Sequence, residues 1–257
     1  MAHGAFCGGW AFERFRAPFE AAGHAVAAPD LLQAAAPNGG PAGLSMRDYA
    51  RALAEAAQVS AEPPILIGHS MGALAGLMAA MRRRVSALIL IAPSPPWGFF
   101  PASLPEAMAA AGPWLLGPYW AMSVAPDAAI ARAYLLDRLS PEERRATQAR
   151  LRPESGRAMW ETLNWWLDPL ATTLIEAARI TVPVLALAGE RDRIHPPGAV
   201  AAVARRLGGE TRIFPGMSHW LIAEPGWEDV AGACLEWIEK LGEPPPRRRL
   251  TAAAGGG

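Results

Sequence analysis

Four stretches of this chain are apolar at every position and stop at glycine or proline. They are Ala25-Val26-Ala27-Ala28 before Pro29, Ile65-Leu66-Ile67 before Gly68, Ala87-Leu88-Ile89-Leu90-Ile91 before Pro93, and Val184-Leu185-Ala186-Leu187-Ala188 before Gly189. Strands with one wet face alternate apolar and polar residues, so unbroken runs imply strands covered on both faces. Thr211-Arg212-Ile213-Phe214, cut off by Pro215-Gly216, is a weaker fifth candidate. Helical spacing lies between the runs. Phe12, Phe15 and Phe19 share one face, as do Tyr49, Leu53 and Ala57, and Val230, Cys234, Trp237, Ile238 and Leu241 form a stripe near the end. Met71 to Met81 consists mostly of Ala, Leu, Gly and Met, as a helix pressed against a sheet requires. Strands alternating with helices predict an α/β fold with a mostly parallel central sheet.

Composition narrows the partners. The 257 residues carry 24 Lys+Arg against 24 Asp+Glu. That balance lacks the basic surface that nucleic acid or an anionic membrane demands. A hydrophobic content of 51% excludes a disordered chain. Cys7 and Cys234 alone cannot form a disulfide framework and suit a reducing cytoplasm, the expected location. No uninterrupted apolar run is long enough to span a bilayer. The start, Met1-Ala2-His3-Gly4, lacks the basic and then apolar pattern of a signal peptide.

A long insertion separates the third and fourth runs. Residues 1–93 and 180–242 are expected to form the α/β core, residues 94–179 a helical cap or lid, and residues 243–257 a loose tail. Helices are expected over Pro126 to Leu139 and Pro141 to Leu151. Six of the ten tryptophans fall in the insertion: Trp97, Trp114, Trp120, Trp160, Trp165 and Trp166. They suit either a small aromatic subdomain core or a lid over a pocket at the carboxyl ends of the strands. Trp97, Trp120, Trp165 and, outside the insertion, Trp220 are the candidate substrate contacts.

Gly68-His69-Ser70-Met71-Gly72 has the pattern G-x-S-x-G between an apolar strand and a small-residue helix. A sharp strand-to-helix turn strains the serine, lifts its hydroxyl above the sheet and puts it beside the positive helix end. A serine nucleophile needs an imidazole base oriented by a carboxylate. Asp192 follows the fourth run and His219 follows the fifth, in Gly216-Met217-Ser218-His219. In a parallel sheet these positions share one edge, so Ser70, Asp192 and His219 converge. Glu190 is the alternative acid and His195 the alternative base. His69 sits inside the turn with its side chain expected to point away from the reacting carbonyl, and His24 lies at the opposite edge. The two backbone N–H groups needed for a developing oxyanion are assigned to Met71 and, in the loop His3 to Trp10, to Ala5. No nucleotide, cofactor or metal motif is present.

These residues resemble the α/β-hydrolase superfamily over nearly the whole chain. The resemblance rests on the His3-Gly4 loop with Trp10 and Phe12, the Gly68–Gly72 turn, Gly189-x-x-Asp192 with Pro196, and Gly216-x-x-His219 with Glu224 and Pro225. It implies an eight-stranded sheet, a helical cap and a Ser70–His219–Asp192 triad working through an acyl-enzyme. In the family a hairpin and a third strand precede the His-Gly loop, whereas only Met1 and Ala2 do so here. The first strands are therefore expected to be missing, the start to lie too late and the loop bearing Ala5 to lack an anchor. Ser70 separates the chain from the branches with an aspartate nucleophile. Gly4 and Trp220 stand where the similar hydroxynitrile lyases carry threonine and lysine, which favours hydrolysis. The expected activity is cleavage of an ester, thioester or lactone of a small, largely apolar acyl substrate. A ligand-binding protein, an inactive fragment and an acyltransferase are the alternatives.

Overall fold

The computed structural model describes residues 1–59, 62–99 and 117–242. Trp114 and the tail at 243–257 lie outside the described residues. Among those described, the main sheet holds four parallel strands in the order β1 (Ile65–His69), β2 (Ala87–Ile91), β5 (Val184–Gly189) and β6 (Glu210–Phe214). A second, two-stranded ribbon pairs β3 (Ser123–Val124) with β4 (Glu154–Ser155) in antiparallel fashion. This falls short of the eight strands that the family resemblance implies.

The unbroken apolar runs have a direct packing cause. Leu66, Leu88, Leu90, Ala186 and Ala188 face one side of the sheet. They meet Tyr49 and Leu53 of α3 (Met46–Ala56), Leu74 and Leu77 of α4 (Met71–Ala80), and Val200 and Val203 of the helix Pro197–Arg206. Ile67, Ile89, Ile91, Leu185 and Leu187 face the other side. There they meet Phe15 and Phe19 of α1 (Glu13–Ala21), and Val230, Cys234 and Trp237 of the last helix, Trp227–Gly242. Side chains alternate between the faces of a strand, so both parities must be apolar when helices cover both. The edge strand β6 is only partly covered, which is why its signal is weak.

The expected strand at Ala25–Ala28 does not form. Its position is nonetheless anchored. Met1 and Ala2 lie between it and β1: the Met1 nitrogen donates to Ala27 O at 2.5 Å, Ala2 N–H donates to Ile67 O at 2.8 Å, and Ala2 O accepts from His69 N–H at 2.9 Å. A single parallel bridge, Ala2 to Gly68, takes the place of a full strand beside β1. His3 Nε2 then accepts Leu31 N–H at 2.9 Å. The expectation that this loop lacks an anchor is thereby corrected: backbone bonds tie it to β1, and the His3–Leu31 bond is buried away from water.

The described part of the insertion, residues 94–99 and 117–179, is a set of short elements. Helical turns run from Ala128 to Leu135, with a π-helical stretch, and over Pro141–Gln148 and Gly156–Leu163. The first is shorter than the periodicity of Pro126 to Leu139 suggests. Ser140 caps the second in a reciprocal capping box with Glu143. Buried Glu161 docks the insertion onto the start of α3. It accepts from Met46 N–H at 2.7 Å and from the Ser45 hydroxyl at 2.8 Å, where the helix dipole favours negative charge.

Replacing Ala2 with proline removes the N–H that Ile67 O accepts. The variant is expected to lose about 1–3 kcal/mol of stability, the cost of a stranded buried carbonyl. An unchanged urea midpoint would contradict this account of the anchor.

Candidate active site

Ser70 joins β1 to α4 with φ 54° and ψ −123°, a conformation that L residues avoid. Two close backbone approaches enforce it. A Cβ on Gly68 would lie 2.4 Å from Ala73 Cα, and one on Gly72 would lie 2.3 Å from the carbonyl oxygens of Ala2 and His3. Each glycine of the pentapeptide is therefore needed where the chain folds back on itself or meets the N-terminal loop. Ser70 N–H donates to Ile91 O at 2.9 Å, and Ser94 N–H donates to Ser70 O at 3.2 Å, which ties the turn to the end of β2.

At the same sheet edge, Asp192 and His219 meet directly: His219 Nδ1 lies 2.8 Å from Asp192 Oδ2, with both side chains buried. The other carboxylate oxygen, Oδ1, accepts Ile194 N–H at 2.8 Å and His195 N–H at 2.9 Å. Burial pushes the Asp192 carboxyl up, but His219 and these N–H donors outweigh it and hold it below its ordinary value. An ionised Asp192 accepts the Nδ1 proton and leaves the Nε2 lone pair of His219 free. No hydrogen bond joins the Ser70 hydroxyl to His219 in this structure. Such bonds often tighten only when substrate arrives.

The rival residues have other employment. Glu190 accepts Gly216 N–H at 2.8 Å in an exposed turn. His195 Nε2 lies 3.0 Å from the Ser94 hydroxyl. His24 is exposed against Phe19. His69 has a role that its position in the turn did not reveal. Its ring centroid is 4.9 Å from that of His219, and its Nε2 donates to the His219 carbonyl at 2.9 Å. Trp220 closes against the edge of His69 at 5.4 Å and against Trp10 at 6.2 Å, and it is buried in the core. It braces His69 from behind, and so cannot serve as the substrate contact expected of it.

Among the other expected contacts, Trp97 and Trp165 pack edge to face at 5.3 Å. Trp165 Nε1 donates to Phe99 O at 2.9 Å. Trp120 is 39% exposed and stacks against Tyr119 and Trp160. Ala5 stands in the turn before Phe6, and the loop that carries it crosses close to Ser70: a Cβ on Gly4 would lie 3.1 Å from Ser70 Cβ. Met71 opens α4, where backbone N–H groups lack helical acceptors.

Glu224 was visible in the sequence only as part of the family resemblance. Its Oε1 accepts Ser218 N–H at 2.5 Å, which fixes the backbone just before His219. Burial pushes this carboxyl up to about 7. Burial likewise pushes His3 down to about 4 and His69 and His195 down to about 3, the latter two with help from His219. Among the described residues, no group of three or more His, Cys, Asp or Glu side chains gathers as a metal-binding set. No helix among them is long and apolar enough to cross a membrane.

The chain belongs to the alpha/beta hydrolase family, whose model matches residues 1–233. Solved structures similar to it include a methylesterase from Arabidopsis, at 16% identity and a TM-score of 0.70, covering 93% of this chain and 97% of that one. A monoacylglycerol lipase from Paleococcus ferrophilus shares 21% identity, covering 93% of this chain and 92% of that one with a TM-score of 0.69. A pyrethroid hydrolase from Sphingobium faniae JZ-2 shares 19%, covering 92% and 95%, with a TM-score of 0.66. These likenesses establish the common fold. A search of curated proteins by sequence found no match.

The buried neutral histidines predict acid lability. The unfolded chain protonates His3, His69 and His195 below the ordinary 6.5, whereas the folded chain resists until about 4, 3 and 3. Glu224 opposes them: folded, it keeps up to about 7 a proton that the unfolded chain releases above 4.5. The Met1 amino group, pushed down to about 5 by burial, acts with the histidines, and Glu154, pushed up by burial, acts with Glu224. The larger set wins, so near pH 5.5 the unfolded state binds more protons and stability rises with pH. The urea midpoint should therefore fall steeply from pH 6.5 to pH 5; a flat profile would show that these imidazoles are not held neutral.

Proposed function

We propose that the chain is a serine hydrolase of carboxylic esters, with Ser70 as nucleophile, His219 as base and Asp192 as its orienting partner. The observation that carries this reading is the buried His219–Asp192 hydrogen bond at the sheet edge where the strained Ser70 turn also ends. The names of the similar structures, a methylesterase, a monoacylglycerol lipase and a pyrethroid hydrolase, support ester cleavage.

The chemistry follows from the protonation states. His219 Nε2 takes the Ser70 proton as the oxygen attacks the ester carbonyl. The imidazolium that forms faces the Asp192 carboxylate, while His69 and His195 at 4.9 and 5.2 Å stay uncharged and do not repel it. The oxyanion is received by the N–H groups of Ala5 and Met71, which are fixed before charge develops. His219 then protonates the departing alkoxide, leaving an acyl group on Ser70. Water, deprotonated by the same nitrogen, attacks that acyl carbonyl, and Ser70 recovers its proton as the acid leaves.

The insertion acts as a cap over this edge. Its aromatic side chains, Trp97, Trp120 and Trp165 among them, favour a small substrate with a largely apolar acyl or alcohol part. The binding-protein alternative rested on an unanchored oxyanion loop, and the Ala2 and His3 bonds remove that premise. Ser70→Ala is expected to lower p-nitrophenyl ester turnover by ~10³-fold or more and to abolish labelling by a fluorophosphonate. A variant that still labels or turns over would end this reading.

A further inference from the structure

We propose that Glu154, in the insertion and remote from the Ser70 turn in sequence, is a positioning residue that sets the oxyanion loop from the side opposite the sheet. The proposal rests on the reading above, in which Ala5 supplies one oxyanion donor. The Ala5-Phe6-Cys7 segment is gripped at three backbone groups. Phe6 N–H donates to Glu154 Oε2 at 3.2 Å. Phe6 O accepts Arg152 N–H at 3.0 Å, and Cys7 O accepts both Nε and Nη2 of Arg152 at 3.1 and 3.0 Å. The same guanidinium pairs with Asp30, next to the helical turn that His3 caps.

The grip is needed because Phe6 has φ 63°, a left-handed backbone costing of order 1 kcal/mol or more that survives only where neighbours over-determine it. The Phe6 side chain adds a second hold, packing against the insertion cluster of Tyr119, Val124 and Met159. The peptide plane between Ala5 and Phe6 is thus held by Glu154, while Gly4 on its other side is pressed against the Ser70 turn. An oxyanion donor misaimed by a fraction of an ångström forfeits much of its effect.

Glu154 is built to hold this geometry. It is buried, and its Oε1 accepts the Tyr49 hydroxyl and, at 2.7 Å, Ser155 N–H. Donors therefore surround both oxygens, and an amide in place of the carboxylate must turn its NH₂ toward one of them. With the amide oxygen kept on Tyr49 and Ser155, the NH₂ faces Phe6 N–H, and the loop loses its acceptor while the insertion keeps its own bonds.

The test compares Glu154→Gln with Tyr49→Phe, each of which removes one bond from the same carboxylate. With p-nitrophenyl acetate, E154Q is expected to lose ~10–100-fold in kcat with KM within about twofold. Its affinity for a trifluoromethyl ketone, which forms an oxyanion on Ser70, should fall in parallel. The Phe6 amide should exchange with solvent ~10-fold faster or more, in line with a lost hydrogen bond. Y49F should stay within about threefold of the parent in all three readouts, a bound set by the loss of one bond remote from the loop. Unchanged kcat and Phe6 exchange in a folded E154Q, or an equal loss in Y49F, would overturn the proposal. A parent protein inert to fluorophosphonate would instead overturn the esterase reading, and the exchange comparison would still decide whether Glu154 holds the loop.

Discussion

The structure turns on two places where backbone meets backbone with no room for a Cβ. Gly68 lies against the first turn of α4, and Gly72 lies against the carbonyls of Ala2 and His3. The first contact forces the chain through the strained Ser70 conformation. The second presses the N-terminal loop onto the helix that begins there. A side chain at Gly68 would push the first turn of α4 away, and one at Gly72 would separate the turn from its loop, so the pentapeptide is a packing constraint before it is a chemical one. Everything proposed about catalysis inherits its geometry from this junction.

The surrounding electrostatics follow the same economy. His219 lies in ring contact with both His69 and His195, at 4.9 and 5.2 Å, an arrangement that repels itself if more than one is charged. Burial resolves the conflict by keeping His69 and His195 neutral. Asp192 is spent on His219 and on two backbone donors, so only one imidazole has a carboxylate to stabilise its cation. The difference between His219 and the two neutral imidazoles therefore comes from hydrogen-bond partners, since residue type is common to all three.

Much of this was legible in the sequence because it depends on local rules. The three long apolar runs at residues 65–67, 87–91 and 184–188 became strands, and Phe15, Phe19, Val230 and Cys234 fill the face their spacing indicates. The meeting of Asp192 and His219 followed from their places just beyond the carboxyl ends of parallel strands, which share one edge. What failed depended on partners distant in sequence. Ala25–Ala28 has strand composition, but the bond from the Met1 nitrogen to Ala27 O and the single bridge from Ala2 to Gly68 do not make a ladder. Trp220 reads as a pocket aromatic beside His219, yet successive side chains diverge, and its ring turns into the core behind His69. Nothing near Glu154 in sequence announces that its partners are Phe6 and Tyr49.

The insertion is joined to the core by contacts of very different worth. Arg14–Glu143 and Arg150–Glu13 are exposed pairs, each worth about 0–1 kcal/mol and weakened further by salt. Such pairs cannot decide how the insertion sits. Glu154 and Glu161 differ because both are buried and each accepts backbone N–H groups from the core, Phe6 in one case and Met46 in the other. Pulling a buried carboxylate away from its whole set of donors leaves an uncompensated charge that costs several kcal/mol. The insertion can therefore rock only by moving the Phe6 loop and the start of α3 with it. That links the placement of the insertion to the loop that lies against Ser70.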